Sequence, residues 1–396
     1  MSKNANDIVI VAAARTPMGA FQGDLAALTG PQLGAAAIRA AVARANLAPE
    51  QVDEVLMGNV LQAGEGQAPA RQAALGAGLP KSVGCTTVHK VCGSGMKAQM
   101  LAFDALKAES YDVVVAGGME SMSNAPYLLP KARSGMRLGH GQVLDHMFYD
   151  GLEDAYDKGR LMGTFAEDTA QHYRFTREQQ DAYAIESTQR AIRAIQSGAF
   201  EWEIEPVTIT DRGGERVVKI DEQPLKAKLD KIPLLKPAFR KDGTVTAANA
   251  SSISDGAAAL VLMRRETAEQ LGCTPLARIV AHATHAHEPA WFTTAPVGAI
   301  EKVLAKAGWT ADAVDLFEIN EAFAVVTMAA MKELNLPHEK VNIHGGACAL
   351  GHPIGASGAR IVVTLIGALR HTGGKRGVAS LCIGGGEATA MAIELE

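Results

Sequence analysis

The chain has 396 residues, 47% of them hydrophobic and 40 of them glycine, enough to bury a large core in two or three packed lobes. Lys and Arg number 38 against 43 Asp and Glu, a formal charge of -5 that supplies no global basic field and argues against a nucleic-acid partner. Five cysteines with no CxxC pair and no metal-ligand spacing point to free thiols in a reducing compartment, and away from disulfides or a metal centre.

Strand-like Ile8 to Ala12 comes first, without the apolar core of a signal peptide ahead of it, and no apolar run is long enough to span a bilayer. A soluble cytoplasmic protein with no membrane partner is expected. After the Arg15-Thr16-Pro17 loop, Leu33 to Asn46 reads as an alanine-rich helix, Val52 to Val60 as a strand and Ala68 to Leu75 as a short helix. Val83 to Val88 is a strand leading to Cys92, Met96 to Ala108 a helix, and Tyr111 to Ala116 a strand that Gly117-Gly118 should end. This βαβα rhythm predicts helices covering a sheet. From Ser121 to about Gly163 the sequence turns loop-rich and carries Met122, Met136, Met147 and Met162, with Met119 just ahead of it. Thr176 to Ser197 reads as a solvent-facing helix with Thr176 as its N-cap. Glu205 to Ile209 and Arg216 to Ile220 form a predicted hairpin turning at Gly213-Gly214, followed by a positive stretch at Lys226, Lys228, Lys231 and Lys236.

The β/α rhythm resumes at Ala257 to Met263. Strands follow at Leu276 to His282 and Val314 to Glu318, helices at Val297 to Ala307, Ala322 to Leu334 and Ala359 to His371. Two last strands, Val378 to Leu381 and Ala388 to Leu395, flank Cys382-Ile383-Gly384-Gly385-Gly386. Two β/α stretches thus bracket an inserted loopy segment, and each carries a glycine-associated cysteine, the pattern of an internal duplication.

Four features bear on chemistry. Cys92 precedes a helix, where unpaired N–H groups and the dipole favour a thiolate; a lone cysteine is more commonly a small buried hydrophobe. His352 lies between Gly351 and Gly355, an open setting for an acid/base, or a core histidine. Cys382 exits a strand into three glycines whose N–H groups can converge on an oxyanion. Asn320 sits at a strand-to-helix junction, where an ordinary N-cap is the plain reading. Their joint occurrence at strand exits, where α/β sites gather, weighs against four unrelated structural residues.

Cys92-Gly93-Ser94-Gly95, Asn320-Glu321-Ala322-Phe323-Ala324, Gly351-His352-Pro353-Ile354-Gly355-Ala356-Ser357-Gly358 and Cys382-Ile383-Gly384-Gly385-Gly386 together resemble the thiolase family. Gly117 to Ser123 and Gly243 to Ala247 support it, in order, over essentially the whole chain. The resemblance implies an α/β fold: the duplicated five-layer α/β/α/β/α thiolase fold with an inserted loop domain. The expected division is 1–120 and 250–273 for the N-terminal half, 121–249 for the inserted loop domain and 274–396 for the C-terminal half, assembled as a homotetramer (a dimer of dimers) or else a homodimer.

By the same resemblance, Cys92 takes the acyl group from an acyl-CoA after His352 removes its proton. Cys382 is the second base, acting on the α-carbon of acetyl-CoA, with a thiol pKa that neighbours bring toward neutrality. His352 and a water held by Asn320 stabilise the enolate, and the N–H groups of Cys92 and Gly384 form a second oxyanion hole. Losing one such donor costs about 3 kcal/mol. Ser251 is expected at the pantetheine of CoA, with Ala247 and Phe323 beside it, Met162 as a wall of a small acyl pocket, and Lys226 attracting CoA phosphates. No metal is implied, and no cofactor beyond the coenzyme A carried by the substrates.

This chain departs from the family pattern at several places. Leu161 replaces a histidine expected to contact CoA, and Trp291-Phe292 stands where a methionine is common, reshaping the acyl site. Cys348 replaces an aliphatic residue, read as packing or as a third reactive thiol; His344 replaces an asparagine, Ala248 a glycine, and His89 is read as a structural hydrogen-bonder. The leading expectation is acetyl-CoA C-acetyltransferase activity, two acetyl-CoA to acetoacetyl-CoA and CoA. The alternative is a 3-ketoacyl-CoA thiolase of fatty-acid or aromatic-acid breakdown. A decarboxylating ketosynthase would carry a histidine in place of Cys382, and a non-catalytic relative would lose Cys92 or Cys382.

Overall fold

In the computed structural model, which describes residues 4–211 and 214–396, ten strands join into one hydrogen-bonded ladder built of two halves with the same strand order. In the first, Ile8–Arg15 pairs antiparallel with Ser254–Arg264, and that strand pairs antiparallel with Val113–Ser121. Glu54–Gly58 runs parallel to Val113–Ser121, and Gly84–Val88 runs parallel to Glu54–Gly58 at the outer edge. In the second, Ala277–Ala286 pairs antiparallel with Glu387–Leu395, which pairs antiparallel with Arg376–Ile383. Leu316–Ile319 runs parallel to Arg376–Ile383, and a single bridge from Phe317 to Val341 stands in the place of a fifth strand. Within the ladder, among the described residues, Val9 with Arg278 and Ile10 with Ala277 join the halves. The duplication is therefore in the topology, although no repeat is visible in the residues.

Helices Ser94–Lys107 and Ser357–Thr372 pack against each other between the halves, in a core that draws Leu56, Val114 and Leu260 from one sheet face and Leu381 and Ile393 from the other. Every residue from Ser357 to Leu369 is buried, as expected of a helix enclosed on all sides. Gly30–Arg44 and Pro69–Gly76 cover the outer face of the first half, and Ala295–Ala307 covers that of the second. Five layers result: helices, sheet, two central helices, sheet, helices. Between Ser121 and Ser254 the chain leaves the sheet for a loop-rich segment that holds helices Met162–Tyr173 and Arg177–Gln196. The predicted hairpin is present as Val207–Asp211 with Gly214–Val218; Gly213 of its turn lies outside the described residues.

Three local expectations are corrected. Val113–Ser121 does not stop at Gly117-Gly118 but runs through both, because the glycines serve closeness and not a turn. A Cβ on Gly117 would meet Ala258 O at 2.1 Å, and one on Gly118 would meet Gly355 O at 2.1 Å. The Arg177–Gln196 helix is capped by Thr176 with Gln179 in a reciprocal box, yet it is not solvent-facing. It buries a stripe through Gln180, Tyr183, Ala184, Ser187, Thr188 and Ala191, whose polar members find partners inside the protein. The helix expected from Ala322 begins at Ala324 with Phe323 at the cap position, so Asn320 caps nothing.

Candidate active site

Cys92 sits at the end of a tight turn that enters the Ser94–Lys107 helix. Val91 adopts φ 45°, a left-handed conformation that a β-branched residue avoids unless its surroundings impose it. Ser94 imposes it: its Oγ accepts from Lys90 N–H at 2.8 Å and donates to the Val91 carbonyl at 2.6 Å. Lys90 is in turn ion-paired with Glu387 of the last strand. Gly93 and Gly95 admit protein rather than ligand, since a Cβ on Gly93 would meet Ile383 Cδ1 at 2.4 Å and one on Gly95 the Ala359 nitrogen at 2.8 Å.

The helix position does not make Cys92 a thiolate at rest. Burial pushes its pKa up to about 11, and the nearby Glu120 carboxylate adds to the rise. N–H donation from Gly384 and from Cys92 itself opposes this without overcoming it. Cys382 is fully buried, and burial together with the charge of Cys92 holds its thiol well above the usual range. The expectation that neighbours bring Cys382 toward neutrality is therefore corrected: desolvation wins for both thiols.

His352 is buried and faces the same place. Its Nδ1 lies 2.6 Å from Ser357 Oγ, and Ser357 Oγ lies 3.0 Å from the Pro353 carbonyl. A carbonyl only accepts, so the hydroxyl donates to Pro353 and the imidazole donates Nδ1–H to Ser357. Nε2 is then the free acceptor, with no hydrogen-bond partner among the described residues. Burial and the Arg360 guanidinium push the His352 pKa down to about 3, so the ring is neutral. Asn320, 1% exposed, places Nδ2 3.4 Å from His352 Nδ1, a donor beside a donor and so no hydrogen bond in this tautomer, while its Oδ1 faces Arg360 Nη2 at 3.5 Å. Arg360 itself lies 3.6 Å from the buried Glu318.

A cavity of about 350 Å³, mostly apolar, opens onto these groups. Of the residues singled out in the sequence, Cys92, His352, Gly384, Met162, Ser251, Ala247 and Phe323 line it, as do Leu161 and Phe292. Ser251 Oγ donates to the Ala322 carbonyl at 2.9 Å, which fixes one rim. Met162 Sδ would lie 3.4 Å from a Cβ on Gly384, so the thioether closes the space above the glycine. Asn320 and Cys382 stand behind the lining. Lys226 is elsewhere: it is exposed and engaged by Glu222 at 2.8 Å and Asp24 at 3.9 Å. Trp291 also stays out of the lining, packed edge-on against His172 at 5.1 Å, whereas Phe292 reaches in. Cys348 belongs to a buried network around Glu321, whose carboxylate accepts from Tyr183, Ser187, Asn342 and the Cys348 N–H. His344 packs against Phe200 and His371, and His89 Nδ1 accepts weakly from Val91 N–H at 3.4 Å.

The sequence reading missed Ser357, Arg360, Glu318 and Glu120 as parts of this site. Ser357 was within reach, five residues beyond the histidine in the same glycine-rich run. The other three reach the site only through the packing of the central helices and sheet ends. Among the described residues no group of three His, Cys, Asp or Glu side chains is arranged to hold a metal ion, and no helix is long and apolar enough to cross a membrane.

Comparison with known proteins agrees with this geometry. Residues 8–266 match the model of the thiolase N-terminal domain and residues 273–395 that of the thiolase C-terminal domain. Acetyl-CoA acetyltransferase 2 of Arabidopsis thaliana is 54% identical over 100% of this chain and 98% of its own length. The acetyl-CoA acetyltransferase of Pseudomonas aeruginosa is 50% identical over 98% of this chain and 99% of its own. Two solved structures superpose closely, each at 44% identity and 100% of its own chain. One is the Bacillus anthracis acetyl-CoA acetyltransferase (TM-score 0.96, 100% of this chain), the other an Ascaris suum thiolase in complex with coenzyme A (TM-score 0.93, 98%).

Proposed function

The chain belongs to the thiolase family, and from that premise we propose that it is an acetyl-CoA C-acetyltransferase, joining two acetyl-CoA reversibly into acetoacetyl-CoA and CoA. The observation that carries this reading is the convergence of Cys92, His352 and Gly384 on one narrow apolar cavity, with Cys382 electrostatically coupled to Cys92 behind it.

In the first half-reaction, His352 Nε2 takes the Cys92 proton as sulfur attacks the thioester carbon. The C–S bond to CoA breaks, and the proton passes to the departing CoA sulfur. Because burial favours the neutral thiol and the neutral imidazole, proton transfer accompanies attack instead of preceding it. The N–H groups of Cys92 and Gly384, which favour negative charge at the Cys92 sulfur, would hold the tetrahedral oxyanion. In the second half-reaction, His352 Nε2 takes the Cys382 proton as Cys382 removes a proton from the α-carbon of the second acetyl-CoA. The enolate carbon attacks acetyl-Cys92, a C–C bond forms and the C–S bond to Cys92 breaks. Cys92 leaves as a thiolate and takes the proton that His352 holds, so both thiols and the imidazole end neutral as they began. Between these events the His352 imidazolium, through Nε2–H, and Asn320, through a water, stabilise the enolate. Ser251, Ala247 and Phe323 hold the pantetheine arm, and coenzyme A on the substrates is the only further group the chemistry requires. Lys226 is a weak CoA-phosphate contact at most, since it already has two acidic partners.

The assembly we propose is a dimer of dimers. The Gly84–Val88 strand ends the sheet with its outer side unpaired among the described residues, an edge that a second copy would cover. Tyr127, Leu129, Leu138 and Val143 are exposed apolar side chains of the inserted segment, available to a second interface. We also propose a cytoplasmic location, which five cysteines without a disulfide support.

Thiolysis rates across 3-ketoacyl-CoA chain lengths test the substrate. Acetoacetyl-CoA is expected to be preferred, as Met162 and Phe292 restrict the cavity; a preference for medium chains would sink the short-chain reading.

A further inference from the structure

Glu120 is fully buried at the end of the Val113–Ser121 strand, and no step above uses it. Four donors fill its carboxylate. Oε1 accepts from Asn59 Nδ2 at 3.1 Å and Leu61 N–H at 3.0 Å; Oε2 accepts from Val60 N–H at 3.1 Å and Gly355 N–H at 2.8 Å. Burial, with the charge of Glu65, pushes its pKa up to about 8 against the N–H groups of Leu61, Val60 and Gly355; since about four lone-pair sites face four donors and leave no place for a proton, the geometry holds it as a carboxylate, a saturated acceptor. Three donors come from the loop after Glu54–Gly58 in the first half of the chain, and the fourth comes from the loop that carries His352 in the second.

The other side of Gly355 is held as closely. Its carbonyl oxygen lies 2.7 Å from a Cβ built on Gly58, 2.1 Å from one on Gly118 and 3.0 Å from one on Gly95. Three glycines from three elements clear a slot for that one oxygen, and a Cβ on Gly355 itself would meet Glu120 Oε2 at 2.5 Å. Gly355, three residues after His352, is thus gripped at its N–H by a carboxylate and at its C=O, in the next peptide unit, by a fitted slot.

We propose that Glu120 is a positioning residue for His352: its carboxylate seats the Gly355 peptide and so sets where the imidazole stands relative to Cys92. The inference rests on the proposed role of His352 as the base for Cys92. Misplacing a reacting group by about 1 Å costs roughly a hundredfold, and Glu120→Gln would turn an NH2 group toward backbone donors.

The test is the rate of Cys92 acetylation by acetyl-CoA, followed by mass spectrometry in the full-length wild type, Glu120→Gln, His352→Ala and the double variant. Alkylation by iodoacetamide at pH 9.5, which needs no enzymic base, is measured alongside. Glu120→Gln is expected to slow acetylation by roughly a hundredfold, to leave alkylation unslowed, and to add less than about twofold in the His352→Ala background. Equal slowing of acetylation and alkylation, or a full penalty in the double variant, overturns the proposal, as does unaltered acetylation. Should Glu120→Gln not fold, Asn59→Ala removes one donor of the four and is expected to slow acetylation by about threefold with the same dependence on His352. If His352→Ala itself acetylates at the wild-type rate, the proposed role of His352 fails; if only the Glu120 effect is missing, the present inference fails alone.

Discussion

His352 Nδ1 and Ser357 Oγ stand 2.6 Å apart, and the Pro353 carbonyl 3.0 Å from that hydroxyl decides which of them donates. The serine thereby keeps the proton on Nδ1 and leaves the Nε2 lone pair free. Ser357→Ala removes that preference, and kcat is expected to fall by roughly 10- to 100-fold with little change in KM, within the range of general acid–base contributions. Ser357→Thr keeps the hydroxyl and should recover most of the activity. A loss confined to thermal stability, with kcat intact, would show that the serine only packs the helix start.

Cys92 at a pKa of about 11 leaves on the order of one thiolate in 10⁴ at pH 7. The sign is clear: a raised thiol pKa means reactivity is gained as pH rises. The rate of iodoacetamide modification of the substrate-free protein should climb about tenfold per pH unit from 7 to 10 without a plateau. A plateau near neutrality would mean that the helix terminus outweighs burial after all.

Cys382 and Cys92 are assigned separate half-reactions, so they can be separated by mutation. Cys382→Ala should still acquire an acetyl group on Cys92 from acetyl-CoA, slowly, while acetoacetyl-CoA formation disappears. Cys92→Ser should lose most turnover in both directions because a hydroxyl is a much weaker nucleophile. Absence of any covalent acetyl on the Cys382→Ala protein, by mass spectrometry, would contradict this division of labour.

How much of this was legible beforehand depends on the range of the interaction. The residues that meet at the cavity stand in short glycine-bearing runs at strand exits, and local sequence marks such runs. Gly117 and Gly118 were misread because a glycine that thins a strand for a neighbouring peptide looks the same as one that ends it. The polar stripe of the Arg177–Gln196 helix looked solvated because its partner, Glu321, comes more than a hundred residues later. The charge state of Cys92 was misjudged for a related reason: the dipole is local and readable, whereas desolvation is a property of everything packed around the sulfur. Lys226 illustrates the converse, a cation whose nearby acids in the fold could not be counted from its own lysine-rich stretch.

His344 offers a stability measurement independent of catalysis. It is buried, Nδ1 has no hydrogen-bond partner among the described residues, and burial with the nearby His371 pushes its pKa down to about 4. A depressed histidine pKa means the unfolded chain binds a proton that the folded one refuses, so stability falls as pH drops from about 6.5 toward 4. From this group alone the loss at pH 5 is about 2 kcal/mol. His344→Asn should flatten that part of the acid limb in urea melts at pH 7 and 5; an unchanged difference between the two would place the acid sensitivity elsewhere.

Met162 is where the acyl pocket can be enlarged with least disturbance. Its sulfur closes the space over Gly384, next to the sulfur that carries the acyl group, and its side chain is only partly buried. Phe292 lies deeper, 3% exposed and edge-on to Phe165 at 6.1 Å, so truncating it would cost about 3–5 kcal/mol of stability as well as reshaping the site. Met162→Ala should therefore raise kcat/KM for 3-ketohexanoyl-CoA relative to acetoacetyl-CoA by about tenfold, the scale on which one or two methylenes are discriminated by an apolar pocket. The gain should appear in the ratio even if both absolute rates fall through looser alignment of the thioester. An unaltered ratio would move the chain-length limit away from the methionine and onto Phe292 and the opposite wall at Ile354 and Leu152.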